Sequence, residues 1–406
     1  MGNLKKPNIR FPEFEGEWVK NTLGEIAGFS KGKGLPKSDI AENGAIECIR
    51  YGELYTIYNE TIDAVYSKTN INPADLVLSE ANDIIVPASG ETHIDIAKAS
   101  CVLKSGVALG GDLNIIKTSN NGVFLSYYLN SNKKKDIAQL AQGISVVHLY
   151  SGQLSKLLLN LPTLPEQQKI ASLFSAIDQK IFQLKQMKIL LEHYKKGVMQ
   201  KIFSQKIRFN DDNGQEFPKW EKKKLGELAL KVSKKNKENQ VTSVLTNSAI
   251  NGIVLQRDFF EKDIANLDNL LNYYIVNIDD FVYNPRISSF APVGPIKRNR
   301  ISQGVMSPLY SVFKFHTGVL AFYESYFSTT YWHKFMESIA NYGARSDRMN
   351  ITTNEFYEMP LPFPCIGEQT KIASFLSAID DKNNHTQKQI EKAEVWKKGL
   401  LQQMFV

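Results

Sequence analysis

Hydrophobic residues recur at helical spacing in two long stretches of the chain. In the first stretch, Ile170, Ile177, Leu184, Leu191 and Val198 lie seven residues apart. The intervening steps of three or four residues are also filled by apolar side chains: Leu173, Ile181, Met187, Tyr194 and Ile202. A heptad pattern sustained over about four repeats predicts a long helix whose narrow apolar seam needs a partner helix.

The second stretch repeats the first. Residues 166–178 read EQQKIASLFSAID and residues 368–380 read EQTKIASFLSAID, so ten of thirteen positions are identical at an offset of 202. The same offset relates YKKG at 194–197 to WKKG at 396–399, and LGE at 23–25 to LGE at 225–227. The second stretch keeps these seam residues: Ile372, Phe375, Leu376, Ile379, Trp396 and Leu400. A period this long predicts a tandem duplication of domains rather than a solenoid.

Each copy consists of a variable block followed by a nearly constant helix. The variable blocks mix short β-rich runs with turn clusters and a few helical patterns, which predicts compact α+β domains. The predicted division is a domain over 1–163, a spacer helix over 164–205, a domain over 206–363 and a spacer helix over 364–406. The second domain must return the chain, so the two helices are expected to pair antiparallel as a coiled coil. The alternative is that each helix packs only on its own domain.

Composition narrows the class of protein. The formal net charge is +7, and residues 195–235 contain twelve Lys or Arg against five acids, which accounts for the whole excess. Such a segment is either a solvated linker or a contact with a polyanion. No run of eighteen apolar residues is present, and the three cysteines are widely spaced. These features predict a cytoplasmic protein with no membrane span, no disulfide framework and no zinc cluster.

Catalytic motifs are matched only weakly. Residues 28–34 read GFSKGKG, which is one residue too short for a phosphate-binding P-loop and lacks its Ser or Thr. Residues 284–287 read NPRI, which lacks the second proline and the aromatic of the adenine-holding loop of amino-methyltransferases. The histidines show no metal-ligand spacing, and no Cys–His pair suggests a nucleophile. We therefore expect a binding subunit with no catalytic residues and no metal site.

Three sets of residues carry a family resemblance. They are the EQxKIAS segments at 166–172 and 368–374, the openings WVKNTLGEI at 18–26 and WEKKKLGEL at 220–228, and CIRYGELY at 48–55. Together with the duplication, they make the chain resemble the specificity subunit of type I restriction–modification systems over essentially its whole length.

The resemblance implies a division of labour. Each variable domain would be a target recognition domain that reads one half of a bipartite, asymmetric sequence in double-stranded DNA. The helices would set the distance between the halves and dock two methyltransferase (M) subunits, which use S-adenosylmethionine to methylate adenine at N6. Two motor–nuclease (R) subunits would add ATP- and Mg²⁺-dependent translocation and cleavage, so this chain itself would hold no cofactor.

Two alternatives remain open. A coiled-coil adaptor joining two protein-binding domains would show the same repeat. A self-sufficient nuclease or methyltransferase is disfavoured by the missing motifs.

Polar and basic residues in loops are the DNA-contact candidates, because base edges are read by hydrogen bonds and phosphates by cations. In the first domain they are Lys31, Lys33, Lys37, Ser89, Glu91, Thr92, His93, Ser145 and His148. In the second they are Lys234, Lys235, Asn247, Arg286, Ser288, Arg345, Ser346 and Arg348.

Matching loops of the two domains carry different residue types, as two different half-sites require. Aligning Gly143 with Gly343 places His148 opposite Arg348, and the segment 286–289 is expected at the place of 88–91. Arg345 and Arg348 are the predicted base readers, and the lysines are predicted phosphate contacts. The half-sites are expected to be centred about one helical turn, ~10 base pairs, apart.

Overall fold

The computed structural model describes residues 6–259, 267–341 and 347–406, and no side chain of 259 or 267–269. The chain forms two compact units. Unit 1 comprises Met1–Gln186 and Gln387–Val406, and unit 2 comprises Met187–Thr386. In the described part of the chain, no helix combines the length and apolar composition needed to cross a membrane.

Unit 1 is built on a mixed sheet covered by helices. Its strands are β1 (Val19–Thr22), β2 (Ala27–Lys31), β3 (Ile46–Ile49), β4 (Thr61–Ile62), β5 (Ser67–Thr69), β6 (Asp83–Pro87), β7 (Ser89–Gly90), β8 (Ser100–Val102), β9 (Ala108–Leu109), β10 (Leu113–Thr118), β11 (Val147–His148) and β12 (Leu158–Leu161). Its helices are α1 (Leu23–Ile26), α2 (Tyr51–Thr56), α3 (His93–Ile96), α4 (Gly122–Ser131), α5 (Lys134–Leu140), α6 (Ser151–Leu154) and the first part of α7 (Leu164–Phe203). Short 3-10 turns cover Lys37–Asp39 and Pro73–Asp75.

The main sheet of unit 1 has the strand order β2-β10-β6-β8-β4. Its neighbours are antiparallel except β4 and β8, which run parallel. Every residue of β6 is buried, and α4 packs Phe124, Leu125, Tyr127 and Tyr128 into the core beside it. Smaller sheets pair β1 with β12, β7 with β11, and β3 with β5 and β9.

Unit 2 repeats this architecture. Its strands are β13 (Glu221–Lys224), β14 (Ala229–Lys231), β15 (Leu245–Ser248), β16 (Gly252–Leu255), β17 (Tyr274–Val276), β18 (Phe281–Tyr283), β19 (Ile296–Arg298), β20 (Gly304–Met306), β21 (Ser311–Phe315) and β22 (Pro360–Phe363). Its helices are α8 (Leu225–Leu228), α9 (Gln256–Phe259), α10 (Leu320–Phe327), α11 (His333–Ile339), α12 (Thr353–Tyr357) and the first part of α13 (Ile366–Gln403), with a 3-10 turn over Leu267–Asn272. The order β14-β21-β18-β19 matches β2-β10-β6-β8, and β13 pairs with β22 as β1 pairs with β12.

The two long helices run antiparallel in both units, as the sequence predicts. In unit 1, Phe174 stacks on Phe405 with ring centroids 5.8 Å apart, Asp178 Oδ1 lies 2.7 Å from Lys397 Nζ, and Lys185 Nζ lies 2.6 Å from Glu394 Oε1. As the residue number along α7 rises, the residue number of the side chain that it contacts falls, as antiparallel pairing requires.

Unit 2 shows the same direction. Lys195 Nζ lies 2.5 Å from Asp380 Oδ1, and Thr386 contacts Met187. Lys195 and Asp380 are the 202-residue counterparts of Lys397 and Asp178, so each helix supplies the lysine of one pair and the aspartate of the other.

The apolar seam predicted from the sequence is buried at the ends of the helices, but it is partly exposed near their middle and at Trp396. Ile170, Ile177, Ile181, Leu184 and Ile202 are buried, whereas Met187 and Tyr194 are 44% and 54% exposed and Trp396 is 55% exposed. At Met187 the facing side chain is that of Thr386, which is small and polar.

The Glu-Gln-x-Lys sequence at the start of α7 anchors that helix to its unit. Glu166 is 1% exposed and accepts two hydrogen bonds of 2.7 Å from the Arg10 guanidinium. Lys169 pairs with Glu13 and lies 4.8 Å from the ring centroid of Phe11. The first residues of the described chain therefore form an arm clamped on the helix.

Unit 2 has the same clamp at the start of α13. Glu368, fully buried, accepts bonds of 3.1 and 2.7 Å from Arg208 and one of 2.8 Å from Trp220 Nε1. Lys371 Nζ lies 2.7 Å from Asp212. Residues 206–220, which belong to the basic stretch, therefore form the arm of unit 2. The arginine of this segment, Arg208, stabilises the unit through its bonds to Glu368.

The glutamine of each motif ties the helix start to the body of its unit. Gln167 Oε1 accepts from Asn121 N at 3.0 Å, and Gln369 Oε1 accepts from Val319 N at 2.8 Å. Asn121 is the residue just before α4, and Val319 is the residue just before α10. The repeated Glu-Gln-x-Lys sequence is thus explained by internal packing of each unit.

Candidate nucleic-acid interface

In unit 1, the pairing of β7 with β11 brings two of the predicted polar loops together. His148 lies directly opposite Ser89, and Leu149 N donates to Ala88 O at 3.0 Å. Directly opposed residues on antiparallel strands project from the same face. Ser89 is half-buried and His148 is exposed, so the pair forms a polar surface at the end of β6.

An exposed tyrosine extends this surface. The rings of His148 and Tyr150 stack with centroids 6.1 Å apart, and Lys31 Nζ lies 5.7 Å from the Tyr150 ring centroid. Tyr150 was missed by the sequence analysis. The alternation of buried Val147 and Leu149 with exposed His148 and Tyr150 is the signal that could have found it.

The segment CIRYGELY, residues 48–55, is hydrogen-bonded to the loop that carries Ser89. Arg50 N donates to Glu53 Oε2 at 2.8 Å at the start of α2, and the Tyr55 hydroxyl donates to Ser89 O at 2.7 Å. Burial raises the pKa of the Tyr55 phenol well above its usual value, so the hydroxyl remains a donor at neutral pH. The position of Ser89 is therefore fixed by a buried framework.

Unit 2 places two arginines at the equivalent point. Arg286 lies opposite Arg348 in an antiparallel bridge, flanked by hydrogen bonds of 3.0 Å from Ile287 N to Asp347 O and from Met349 N to Pro285 O. Bonds on both sides of the pair make it a non-hydrogen-bonded pair, in which the Cα atoms approach to about 4.5 Å and the side chains lie close.

The arginine pair carries an electrostatic cost that a bound anion would relieve. Like charges directly opposed across strands are destabilising. Asp347 Oδ2 lies 3.6 Å from Arg286 Nε and 3.9 Å from Arg348 Nε, so a single carboxylate serves both guanidinium groups. The local charge of the three side chains is +1, which suits contact with DNA phosphate or an electron-rich base edge.

The hydrogen-bond register relates the two sites residue by residue. Met349 N donates to Pro285 O as Leu149 N donates to Ala88 O. Arg348 therefore takes the position of His148, as the loop alignment predicted, and Arg286 takes the position of Ser89. Placing Arg286 opposite Ala88 in the sequence analysis was wrong by one residue.

The other candidates in unit 1 are exposed, and most lie near this framework. Thr92 caps α3 by accepting from Asp95 N at 3.1 Å. Lys33 Nζ lies 3.9 Å from Asp75, and Lys37 lies in a 3-10 turn. The remaining exposed candidates are Glu91, His93 and Ser145.

The candidates in unit 2 differ in their placement. Lys234 and Lys235 are exposed and follow β14, where Ile275 N donates to Lys234 O at 2.8 Å. Ser288 is exposed and lies two residues beyond Arg286. Arg345 and Ser346 lie outside the described residues.

Asn247 requires a correction. It lies in β15, is 2% exposed, and donates both amide hydrogens inward, to Val282 O at 2.8 Å and Pro295 O at 3.2 Å. Its side chain therefore joins backbone segments of the core and does not reach a ligand.

The fold and these surfaces define a protein built from two copies of one α+β recognition module. The family model "Type I restriction modification DNA specificity domain" matches the chain twice, at residues 15–193 and 218–395. The chain belongs to this family, whose members are the non-catalytic, sequence-recognising subunits of type I restriction enzymes.

Individual relatives agree with this assignment. A Methanocaldococcus jannaschii protein named as a type I restriction enzyme MjaX specificity subunit is 25% identical over 315 residues, 72% of this chain and 70% of that protein. The S subunit of a type I restriction–modification system from M. genitalium shares the fold, with a TM-score of 0.59, 16% identity and 99% of both chains covered. A chain from a study of complex assembly and conformational transition of the type I system gives a TM-score of 0.51 and 14% identity, with 95% of this chain and 96% of that chain covered.

Proposed function

We propose that unit 1 and unit 2 each read a different half of one interrupted, asymmetric DNA sequence. The observation that carries the proposal is the pair of equivalent backbone positions that hold Ser89 and His148 in unit 1 but Arg286 and Arg348 in unit 2. A shared scaffold with different hydrogen-bonding groups is what recognition of two different sequences requires.

The chemistry of the pairs differs in a way that DNA can distinguish. An arginine binds guanine O6 and N7 bidentately, so the unit 2 pair favours guanine in its half-site. Serine and neutral histidine can each donate or accept, and Lys31 beside Tyr150 supplies a phosphate contact for that surface. We therefore expect the two half-sites to differ in base composition.

Methylome sequencing of a host that expresses this chain with its methyltransferase tests the proposal. We expect one bipartite motif with unlike halves and methylated adenine in each. A symmetric motif, or methylation without a motif, would contradict it. Under the alternative of a coiled-coil adaptor, DNA binding that weakens steeply with salt would be absent.

The lysines that follow β14 are proposed phosphate contacts. Replacing Lys234 and Lys235 together with alanine should weaken binding to all sequences alike and reduce the slope of log K against log salt by about 2. The measurement is a salt titration of DNA binding with target and non-target duplexes. Lys334→Ala, an exposed lysine on α11, is the control. A change in the methylated motif would show that these lysines read bases instead.

We infer that the repeated aromatic–Lys-Lys-Gly sequences dock two copies of the methyltransferase subunit. Tyr194 and Trp396 occupy the same repeat position and are 54% and 55% exposed. A Cβ added at Gly197 or Gly399 would meet open space within the described residues, yet glycine inside a helix costs about 1 kcal/mol relative to alanine. An exposed aromatic one turn from a bare helix surface suits close packing of a partner, and the duplication supplies the site twice.

Single substitutions should then remove one partner each. Trp396→Ala should lower the number of bound methyltransferase subunits from two to one, Tyr194→Ala should do the same at the other site, and the double variant should bind none. Native mass spectrometry measures the stoichiometry. Phe182→Ala is the control, because Phe182 is 61% exposed but its repeat counterpart is Asn384. Two methyltransferases retained by the double variant would place docking elsewhere.

The remaining chemistry is proposed to belong to the partner subunits. S-adenosylmethionine would be held by the methyltransferase, and ATP and Mg²⁺ by two motor–nuclease subunits, in the cytoplasm. This chain would contribute the choice of sequence and the placement of those subunits on it.

A further inference from the structure

A phenylalanine projects from unit 2 four residues after Arg286 of the arginine pair. Phe290 is 73% exposed, whereas the aromatic side chains of strands β18 and β21, among them Phe281, Phe313 and Phe315, are buried. No ring contact joins Phe290 to another aromatic residue in the part of the chain that the structure describes. The residue therefore has no role in the core of the unit.

A tight turn holds this side chain in place. Ser288 N donates to Ala291 O at 3.0 Å and Ala291 N donates to Ser288 O at 3.1 Å, which leaves Ser289 and Phe290 as the two tip residues. Behind the tip, Ala291 is 7% exposed and Val293 is fully buried. The turn is thus anchored in the core and presents Phe290 on a rigid support.

The surroundings of the tip favour DNA as its occupant. Arg286 lies two residues before the first residue of the turn and opposite Arg348, so the segment that leads into the turn carries one member of a cationic pair. Proteins that insert Phe, Leu or Ile between base pairs partly unstack the base step, and cationic side chains on the same loop can contact the DNA phosphates. A protein partner would be expected to meet a wider apolar surface.

We propose that Phe290 is a wedge that inserts between two base pairs of the half-site read by unit 2 and unstacks that step. The inference rests on the proposed function, since it needs unit 2 to contact DNA. The wedge would make recognition depend on how readily a step deforms, and pyrimidine–purine steps yield most easily. We therefore expect such a step within or next to the half-site of unit 2.

The test uses the full-length chain in complex with its methyltransferase and target duplexes carrying fluorescent base analogues. 2-Aminopurine replaces each adenine, and pyrrolo-cytosine each cytosine, of the unit 2 half-site in turn. The methylated adenine is left unlabelled because its own extrusion would give a signal. Wild-type complex should raise the fluorescence severalfold at one step.

Substitutions at Phe290 test whether this side chain causes the fluorescence rise. Phe290→Ala should abolish it and weaken target binding about tenfold, whereas Phe290→Leu should keep a reduced signal because leucine also wedges. Ile301→Ala is the control, since Ile301 is 46% exposed and lies in unit 2 beyond the other end of β18.

The possible outcomes separate the wedge from the proposed function. Specific binding without a fluorescence rise, or a rise that survives Phe290→Ala, overturns the wedge and leaves sequence recognition intact. Loss of methyltransferase from the Phe290→Ala complex would make the residue a protein contact and also overturn the wedge. Absence of sequence-specific binding by the wild-type complex would instead refute the proposed function.

Discussion

Glu368→Ala is expected to destabilise unit 2 by about 3–5 kcal/mol, the cost of breaking a buried ion pair by removing one partner. The carboxylate is fully buried and accepts hydrogen bonds from both Arg208 and Trp220. Alanine would leave the Trp220 indole N–H without its acceptor and the Arg208 guanidinium without its counter-ion, with only the carbonyls of Phe217 and Pro218 still accepting from it. Thermal unfolding, followed by near-ultraviolet circular dichroism, should show a fall of roughly 10 °C in the transition of this unit.

The control for this variant is an exposed pair in the same unit. Lys224 Nζ lies 2.6 Å from Glu358 Oε2, with both side chains more than half exposed, so Glu358→Ala should leave the thermal transition almost unchanged. In a double-mutant cycle, adding Arg208→Met to Glu368→Ala should recover much of the lost stability, since the unpaired cation is then removed. Equal shifts for Glu358→Ala and Glu368→Ala would show that the buried clamp contributes nothing special.

The long helices could be predicted because their signals are local and repeated. Heptad spacing requires only the sequence of one helix, and ten identities in thirteen residues reveal the duplication. Their antiparallel direction follows from connectivity, and the contacts of Asp178 with Lys397 and of Lys195 with Asp380 agree with it. What the helix pattern could not show is where the seam ends, because that depends on the residue facing each position.

The arms escaped prediction for a different reason. Both read Ile-Arg-Phe, at 9–11 and 207–209, an offset of 198 rather than 202. Trp18 lies seven positions after Phe11, but Trp220 lies eleven positions after Phe209, so a fixed offset misses the correspondence. The contacts show their structural equivalence, since Ile9 N donates to Gln403 O at 3.0 Å and Ile207 N donates to Lys201 O, the repeat counterpart of Gln403, at 3.2 Å.

Single loop residues were the hardest to place. A shift of one residue turns a side chain to the opposite face of a strand, and the offset that put Arg286 opposite Ala88 is such a shift. Asn247 reads as a polar loop residue, but it lies in β15, where Leu245, Thr246 and Asn247 are all buried. The pair of His148 and Arg348 was predicted correctly because a glycine precedes both by five residues.

Exchanging the reading pair of unit 2 for that of unit 1 should alter one half of the target and leave the other half unchanged. The double variant Arg286→Ser, Arg348→His keeps the backbone register, because the bonds from Ile287 N and Met349 N do not involve side chains. Each bidentate arginine–guanine interaction that the double variant removes should lower the discrimination at its own base pair by about 1–3 kcal/mol.

Methylome sequencing of the double variant would show whether the change is confined to one half-site. Arg298→Lys in β19 is the matched arginine control, because Arg298 is held by Asp279 at 2.6 Å and Glu324 at 3.3 Å, away from the reading pair. The motif of this control should equal that of the wild type. The two units share a scaffold but differ at the paired positions. Loss of base specificity should therefore appear only in the half-site that the substituted unit reads. If both halves relaxed together, or the motif disappeared from a complex that still assembles, the two units could not be independent readers.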